Sequence, residues 1–252
     1  MIRKKKGAIE WLEFELFSAH PEIQAAVFLR HGGVSKGPYA SLNMNGKGDD
    51  PKAYAHNRSL VFDALGINHA TVCDQPHQAQ VSFLPKDPVE SLAQSDGMMT
   101  NRCHEALLIR HADCQAAVFF DPVTKTIANV HAGWRGQVLN IYQETVDKFK
   151  NHVGARPENL LVAISPSLGP KHAEFIHFKK EWPEEYWQFQ CHPTYFDLWA
   201  IGEYQLIKAG ICPSHIQFAK LCTYSNPEDF FSYRRQKPVG GHATIAYLTK
   251  GL

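Results

Sequence analysis

Cys114 and His131 are the residues of this 252-residue chain whose types and surroundings best suit chemistry done together. Arg110-His111-Ala112-Asp113-Cys114 runs into one apolar segment, and Asn129-Val130-His131-Ala132-Gly133-Trp134-Arg135-Gly136 closes the next. A thiolate beside an imidazole supports two chemistries. Cys114 could be a nucleophile with His131 as its base. Alternatively the pair could hold a metal, with His77 from the loop Asp74-Gln75-Pro76-His77-Gln78 as a third donor. One thiolate and two imidazoles leave the fourth tetrahedral position of Zn²⁺ open, the arrangement of a catalytic site, where a bound water has its pKa lowered from ~15.7 towards about 7. The separations fit no local zinc motif, so the residues alone leave both readings open, and copper would suit the same ligands.

A second theme is anion binding. Gly133-Trp134-Arg135-Gly136 enters a helical pattern with apolar residues at Val138, Ile141, Tyr142, Thr145 and Phe149. Free N–H groups at a glycine-rich helix entrance and the Arg135 guanidinium could receive phosphate; pairing of Arg135 with a structural carboxylate is the equal alternative. The loop 30–39 carries three glycines and a proline, so its backbone could approach a ligand or simply turn the chain. Arg234 and Arg235, between apolar segments, are either solvated or anion contacts.

These residues need elements to position them. Apolar runs at 106–109 and 116–120, a turn at 121–125 and a return run at 126–130 read as strands that place Cys114 and His131 near one end of adjacent strands. Further strands are expected at 23–29, 71–73, 81–84, 160–164, 216–221 and 242–248. Helices are expected at 52–65, after a Gly-Asp-Asp-Pro start, and at 195–209. Residues 95–100 read as a turn, and Asn57 and Arg58 as surface or inter-helix polar groups. Trp182, Tyr186, Trp187 and Phe189 form an aromatic cluster that reads as core, with a partner-binding face as the alternative.

Composition sets the bounds. With 44% hydrophobic residues and no linker or repeat, the chain is expected to form one domain whose two halves pack around a shared sheet. The 26 basic and 25 acidic residues give a net charge of +1, so nothing global attracts nucleic acid or a membrane. The basic start, Met1 to Lys6, lacks an apolar segment after it and reads as a solvated tail, with 1–20 a peripheral extension. Six cysteines without short-spaced pairs suggest reduced thiols in the cytoplasm.

His-Ala-Gly-Trp-Arg-Gly at 131–136, Ala-Asp-Cys at 112–114, Gln75 with His77, Arg30 through Asn43, Cys222-Thr223 and Phe231-Ser232-Tyr233-Arg234-Arg235 together resemble the YfiH family, also called the laccase-domain or polyphenol-oxidase-like family. The similarity runs from about residue 25 to the carboxyl end. It implies a single-domain α/β sandwich of layered, mixed sheets over 1–252 and a zinc site on His77, Cys114 and His131. It also implies phosphorolysis of adenosine, inosine, guanosine or methylthioadenosine and hydrolytic deamination of adenosine, with purine nucleoside and phosphate as partners. For that activity Asp113 would carry a proton, Arg135, Arg30 and the backbone at Gly136 would stabilise phosphate charge, and Ser35 and Asn43 would hold sugar or base. A metal-free Cys114/His131 amidohydrolase and a copper polyphenol oxidase are the competing activities. The sequence departs from the family pattern at His111, Lys171-His172 and Gly240-Gly241-His242, which would bear on substrate preference.

Overall fold

The computed structural model describes residues 1–87 and 89–249; position 88 and the end of the expected domain range, 250–252, lie outside the described residues. The chain opens with β1 (Ile2–Lys6), β2 (Ile9–Glu13) and β3 (Ile23–Phe28), then α1 (Pro51–Leu65). Short strands β4 (Val72–Cys73), β5 (Val81–Phe83) and β6 (Ser91–Leu92) lead to β7 (Gly97–Thr100), β8 (Leu107–His111), β9 (Gln115–Asp121) and β10 (Thr126–Ala132). Helices α2 (Trp134–Val138) and α3 (Ile141–Val153), β11 (Leu161–Ile164) and α4 (Phe178–Glu181) follow. The chain ends with β12 (Gln190–His192), β13 (Tyr195–Phe196), α5 (Leu198–Lys208), β14 (Ile216–Phe218) and β15 (His242–Leu248).

Two large sheets result, rather than one shared sheet. Five antiparallel strands run in the order β1-β2-β3-β15-β8, and six mixed strands in the order β14-β11-β9-β10-β7-β5. Strand alternation builds three layers of apolar contact. Val27, Ile109 and Ala246 of the first sheet meet Ala116, Val118 and Phe120 of the second between the sheets. Ala117 and Phe119, pointing the other way from β9, pack under Tyr142, Val146 and Phe149 of α3. Ala26, Phe28 and Ile245 pack under Val61 of α1 on the outer face of the first sheet. The fold is a mixed α/β sandwich, as the resemblance implied.

Local signals account for the helices. Asp50 caps α1 by accepting the Lys52 N–H at 3.0 Å, Pro51 occupies its first turn, and Gly66 at φ 67° ends it. Four expectations require correction. The amino-terminal run is the hairpin β1–β2, which pairs with β3 and buries Ile9, Trp11 and Leu12; its lysines lie along an exposed sheet edge, where charge blocks further strand pairing. Residues 97–100 are a strand between β10 and β5 instead of a turn. The helix after Gly133 is broken by Asn140, which adopts φ 55° and caps α3 through the Gln143 N–H. The expected helix from 195 begins only at Leu198, because Asp197 caps the Trp199 and Ala200 N–H groups and the preceding pair is strand β13.

Candidate metal centre

His131 lies on β10 opposite Ala116 of β9, and Cys114 stands immediately before β9, so both occupy one end of adjacent strands. Two residues before His131, Asn129 points the same way and donates to the Leu107 and Thr244 carbonyls of the other sheet, both at 2.8 Å. Period two therefore aims His131 at the seam between the sheets. Cys114 ends the crossover 112–114 that carries the chain from β8 in one sheet to β9 in the other. His77 comes from the loop after β4.

That loop is pinned at several points. The Gln75 amide pairs with the Arg110 backbone, accepting its N–H at 3.0 Å and donating to its carbonyl at 2.5 Å. Gln75 and His77 both hold left-handed backbone, φ 60° and 63°, a conformation that persists where surrounding contacts impose it. The His77 N–H donates to Asp96 Oδ1 at 3.0 Å, and the Gln78 N–H to Asp96 Oδ2 at 2.7 Å.

The donor atoms of His77, Cys114 and His131 all lie within 4.8 Å of one another. Ligands at zinc distances of 2.0–2.3 Å in a tetrahedron stand about 3.5 Å apart, so a small contraction would close the set on an ion. His131 Nδ1 faces Asp96 Oδ1 at 3.0 Å and His77 Nδ1 faces the Gln75 carbonyl at 3.1 Å, which leaves Nε2 of each ring for ligation. Gly133 is required by close approach: a Cβ there would lie 3.0 Å from His77 Cδ2 and 3.1 Å from Cys114 Sγ. Burial alone would raise the Cys114 thiol, but the His131 charge and hydrogen bond, joined by His77, pull it down to about 6. Burial likewise opposes protonation of His131, yet the Cys114 thiolate and the Asp96 carboxylate lift it to about 9.

The cluster opens into a cavity of about 1200 Å³. Asp113 and Arg135 line it. Arg135 is exposed and lies over the Trp134 ring at 4.2 Å. Asp113, at φ 87°, has both oxygens engaged: Oδ1 accepts from the Thr223 hydroxyl and Oδ2 from the Arg234 N–H, each at 2.6 Å. The remaining candidates stand elsewhere. Arg30 is spent on the Ala40 and Pro227 carbonyls and the Phe231 ring. Ser35 donates to Asp49 Oδ2, and buried Asn43 serves Asp49, Asn45 and the Gly241 N–H. Asn57, expected to be a surface or inter-helix polar group, is fully buried and donates to Ser35, Ser41 and Asn43. These groups bond to backbone and side chains of loop 30–45, while Tyr39, Asn45 and Lys47 of the same region reach the cavity. Gly136 packs against the loop of His77, since a Cβ there would sit 3.1 Å from the Gln78 carbonyl. Arg235 donates to the Thr223, Tyr224 and Phe230 carbonyls, and Arg234, at the cavity, to that of Glu174.

Sequence reasoning missed Asp96. It is fully buried and serves both His131 and the His77 loop, but Ser-Asp-Gly reads locally as a turn. His111 and His242, two departures from the family pattern, are mutual neighbours with rings 5.6 Å apart; His111 and Gly241 line the cavity, whereas His172 stacks on Tyr224 at a smaller hollow.

Residues 24–249 match a family described as multi-copper polyphenol oxidoreductase laccase. The Purine nucleoside phosphorylase YfiH of Shigella flexneri is 31% identical over 237 residues, covering 90% of this chain and 94% of the relative. The crystal structure of Bacillus licheniformis hypothetical protein YfiH superposes with a TM-score of 0.88 at 24% identity, covering 98% of this chain and 99% of that one. YlmD from Geobacillus stearothermophilus gives 0.87 at 26% identity, covering 99% of both chains. The family match spans the stretch that carries His77, Cys114 and His131, and the chain belongs to this laccase-like YfiH family.

Proposed function

We propose that the protein is a zinc-dependent purine nucleoside phosphorylase acting on adenosine, inosine, guanosine or methylthioadenosine, with hydrolytic deamination of adenosine as a second activity. The observation that carries this reading is the His77–Cys114–His131 set opening into a cavity with Lys47, Arg135 and Lys237 in its lining. The relatives' name, purine nucleoside phosphorylase, supports it. In phosphorolysis a phosphate oxygen bonds to ribose C1′ as the bond from C1′ to the base breaks, and its electron pair and a proton go to the purine. In deamination a water oxygen bonds to C6 and ammonia leaves. Zinc on these donors would supply a Lewis acid. The chain's own residues do the rest. Arg135, Lys47 and Lys237 hold phosphate by charge. Tyr39 and Asn45 offer an aromatic ring and an amide to the nucleoside. Asp113, which lines the cavity, also fastens the 232–235 segment to the crossover through the Arg234 N–H.

Multi-copper oxidation fits less well, because among the described residues one group of three donors is assembled. The metal-free amidohydrolase has two observations in its favour: Asp96 completes a relay behind His131, and Cys114 is held near 6. It predicts activity that survives chelation and is abolished by alkylation of Cys114. Free thiols throughout fit a reducing, cytoplasmic setting. No helix among the described residues is long and apolar enough to cross a membrane.

The deciding experiment incubates zinc-loaded protein with adenosine, with and without phosphate, and follows adenine, ribose 1-phosphate and inosine. Phosphate-dependent ribose 1-phosphate that disappears in Cys114→Ala is expected. No product from the zinc-loaded wild type sinks the proposal.

A further inference from the structure

Asp96 stands just before β7, fully buried, with every hydrogen-bonding group it owns committed to the metal centre or its frame. Its N–H donates to the Gln80 carbonyl at 2.9 Å, and its carbonyl accepts the His131 N–H at 2.7 Å. Its side chain gathers three more donors. Oδ1 accepts from the His77 N–H and faces His131 Nδ1, both at 3.0 Å, and Oδ2 accepts from the Gln78 N–H at 2.7 Å. One carboxylate thus grips the loop that carries one donor and the ring that supplies another.

The geometry points to Asp96 as the positioning residue that makes this cluster a metal site: it fixes the Nδ1–H tautomer of His131, freeing Nε2, and holds His77 beside it. This rests on reading His77, Cys114 and His131 as ligands. The argument is one of donors and acceptors. An ionised carboxylate only accepts, so all three N–H groups can point at it. An asparagine of the same shape offers one oxygen and one NH₂. With its oxygen towards His131, the His131 and His77 contacts remain but the NH₂ confronts the Gln78 N–H, and the loop loses that anchor. Turned over, the NH₂ confronts the His77 N–H and demands a lone pair from His131 Nδ1, which puts the proton on Nε2 and blocks ligation. Neither orientation preserves all three contacts.

The test is zinc affinity of Asp96→Asn against wild type by competition with a chromophoric chelator. A partner behind a metal-bound imidazole typically sets 10–100-fold in affinity, and a loss in that range is expected, with amide spectra outside the 74–78 loop unchanged. An asparagine variant within about twofold of wild type overturns the assignment. A second measurement does not need the variant to fold: in zinc-loaded wild type, ¹⁵N imidazole spectra should show His131 with a slowly exchanging Nδ1–H. Protonation on Nε2 overturns it. Neither readout involves nucleoside. Wild type that binds zinc but makes no ribose 1-phosphate removes the proposed activity and leaves Asp96 its role, whereas wild type that takes up no zinc removes both.

Discussion

Metal-free protein should carry Cys114 as a thiolate far below the pH at which ordinary cysteines ionise. The half-buried sulfur is held down to about 6, against a usual 9.0, by His131 and His77 acting against burial. At pH 7 that makes about 90% of Cys114 thiolate, compared with about 1% of an ordinary thiol, a gain of about ninetyfold in the reactive form. Nucleophilicity falls with pKa, and a Brønsted slope near 0.45 returns about twentyfold of that gain. The net advantage in alkylation at pH 7 is then only about fourfold. At pH 5 the thiolate ratio grows to about nine hundred and the net advantage to about fortyfold, so the low-pH limb is the diagnostic one. The assay is peptide-resolved iodoacetamide labelling of chelator-treated protein across pH 4.5–9.5, a window set about both midpoints. Exposed Cys103 and Cys191 serve as internal references. Cys114 should show a midpoint near 6, and His131→Gln should send it up past the reference cysteines, because burial then acts with its main opponent removed. A wild-type midpoint at or above the references, or one indifferent to His131→Gln, would falsify the electrostatic account of the cluster.

Three further perturbations probe different parts of the structure. Gly133→Ala places a methyl 3.0–3.1 Å from His77 and Cys114 and should weaken zinc binding about tenfold by chelator competition while the melting temperature of the metal-free protein stays close to wild type; unchanged affinity would show that the ligands have room to spare. Asn57→Ala strands the Val34 N–H and releases three acceptors in loop 30–45, so urea denaturation should record a loss of about 3 kcal/mol, and a loss under about 0.5 would contradict the network. His242 is lowered from 6.5 to about 4 by burial, so its protonation favours the unfolded chain. Its share of stability is present above pH 6.5 and declines, by about 3 kcal/mol, as pH falls to about 4. Urea midpoints across that range should fall less steeply in His242→Gln, and parallel curves would refute the assignment.

The parts of the molecule written in local pattern were legible from the sequence. Cys114 and His131 flank apolar runs joined by a turn, and strand periodicity alone brought them to one end of a pair. His77 was different: it sits on strained backbone in a loop held by Gln75 and Asp96, and no periodicity reaches it, so residue type offered it only as one possible third donor until the family resemblance singled it out. Asp96 was hidden because its partners are distant in the chain and Ser-Asp-Gly looks like a turn in isolation. The strand it introduces, Gly-Met-Met-Thr, lacks the β-branched run that marks a strand, and its burial between neighbours decides its state. Arg30, Ser35 and Asn43, expected to meet the ligand, are turned towards their own loop for a physical reason. A glycine-rich loop folded under α1 must satisfy its own buried backbone, and the polar side chains that do so resemble those that would bind a sugar. The amino-terminal hairpin was misread because an edge strand wearing lysines has the composition of a tail.

The crossover at 112–114 gives the chemistry an unusual anchorage. Cys114 ends a passage between two sheets, His131 faces the seam that passage bridges, and each is framed by main-chain pairing, so neither donor can drift without disturbing the core. The cavity wall is built otherwise: Tyr39, Asn45 and Lys47 come from one connecting segment, and Tyr233, Lys237 and Gly241 from another. Side-chain changes in those two segments can therefore reshape what the cavity admits without touching the sandwich that holds the donors.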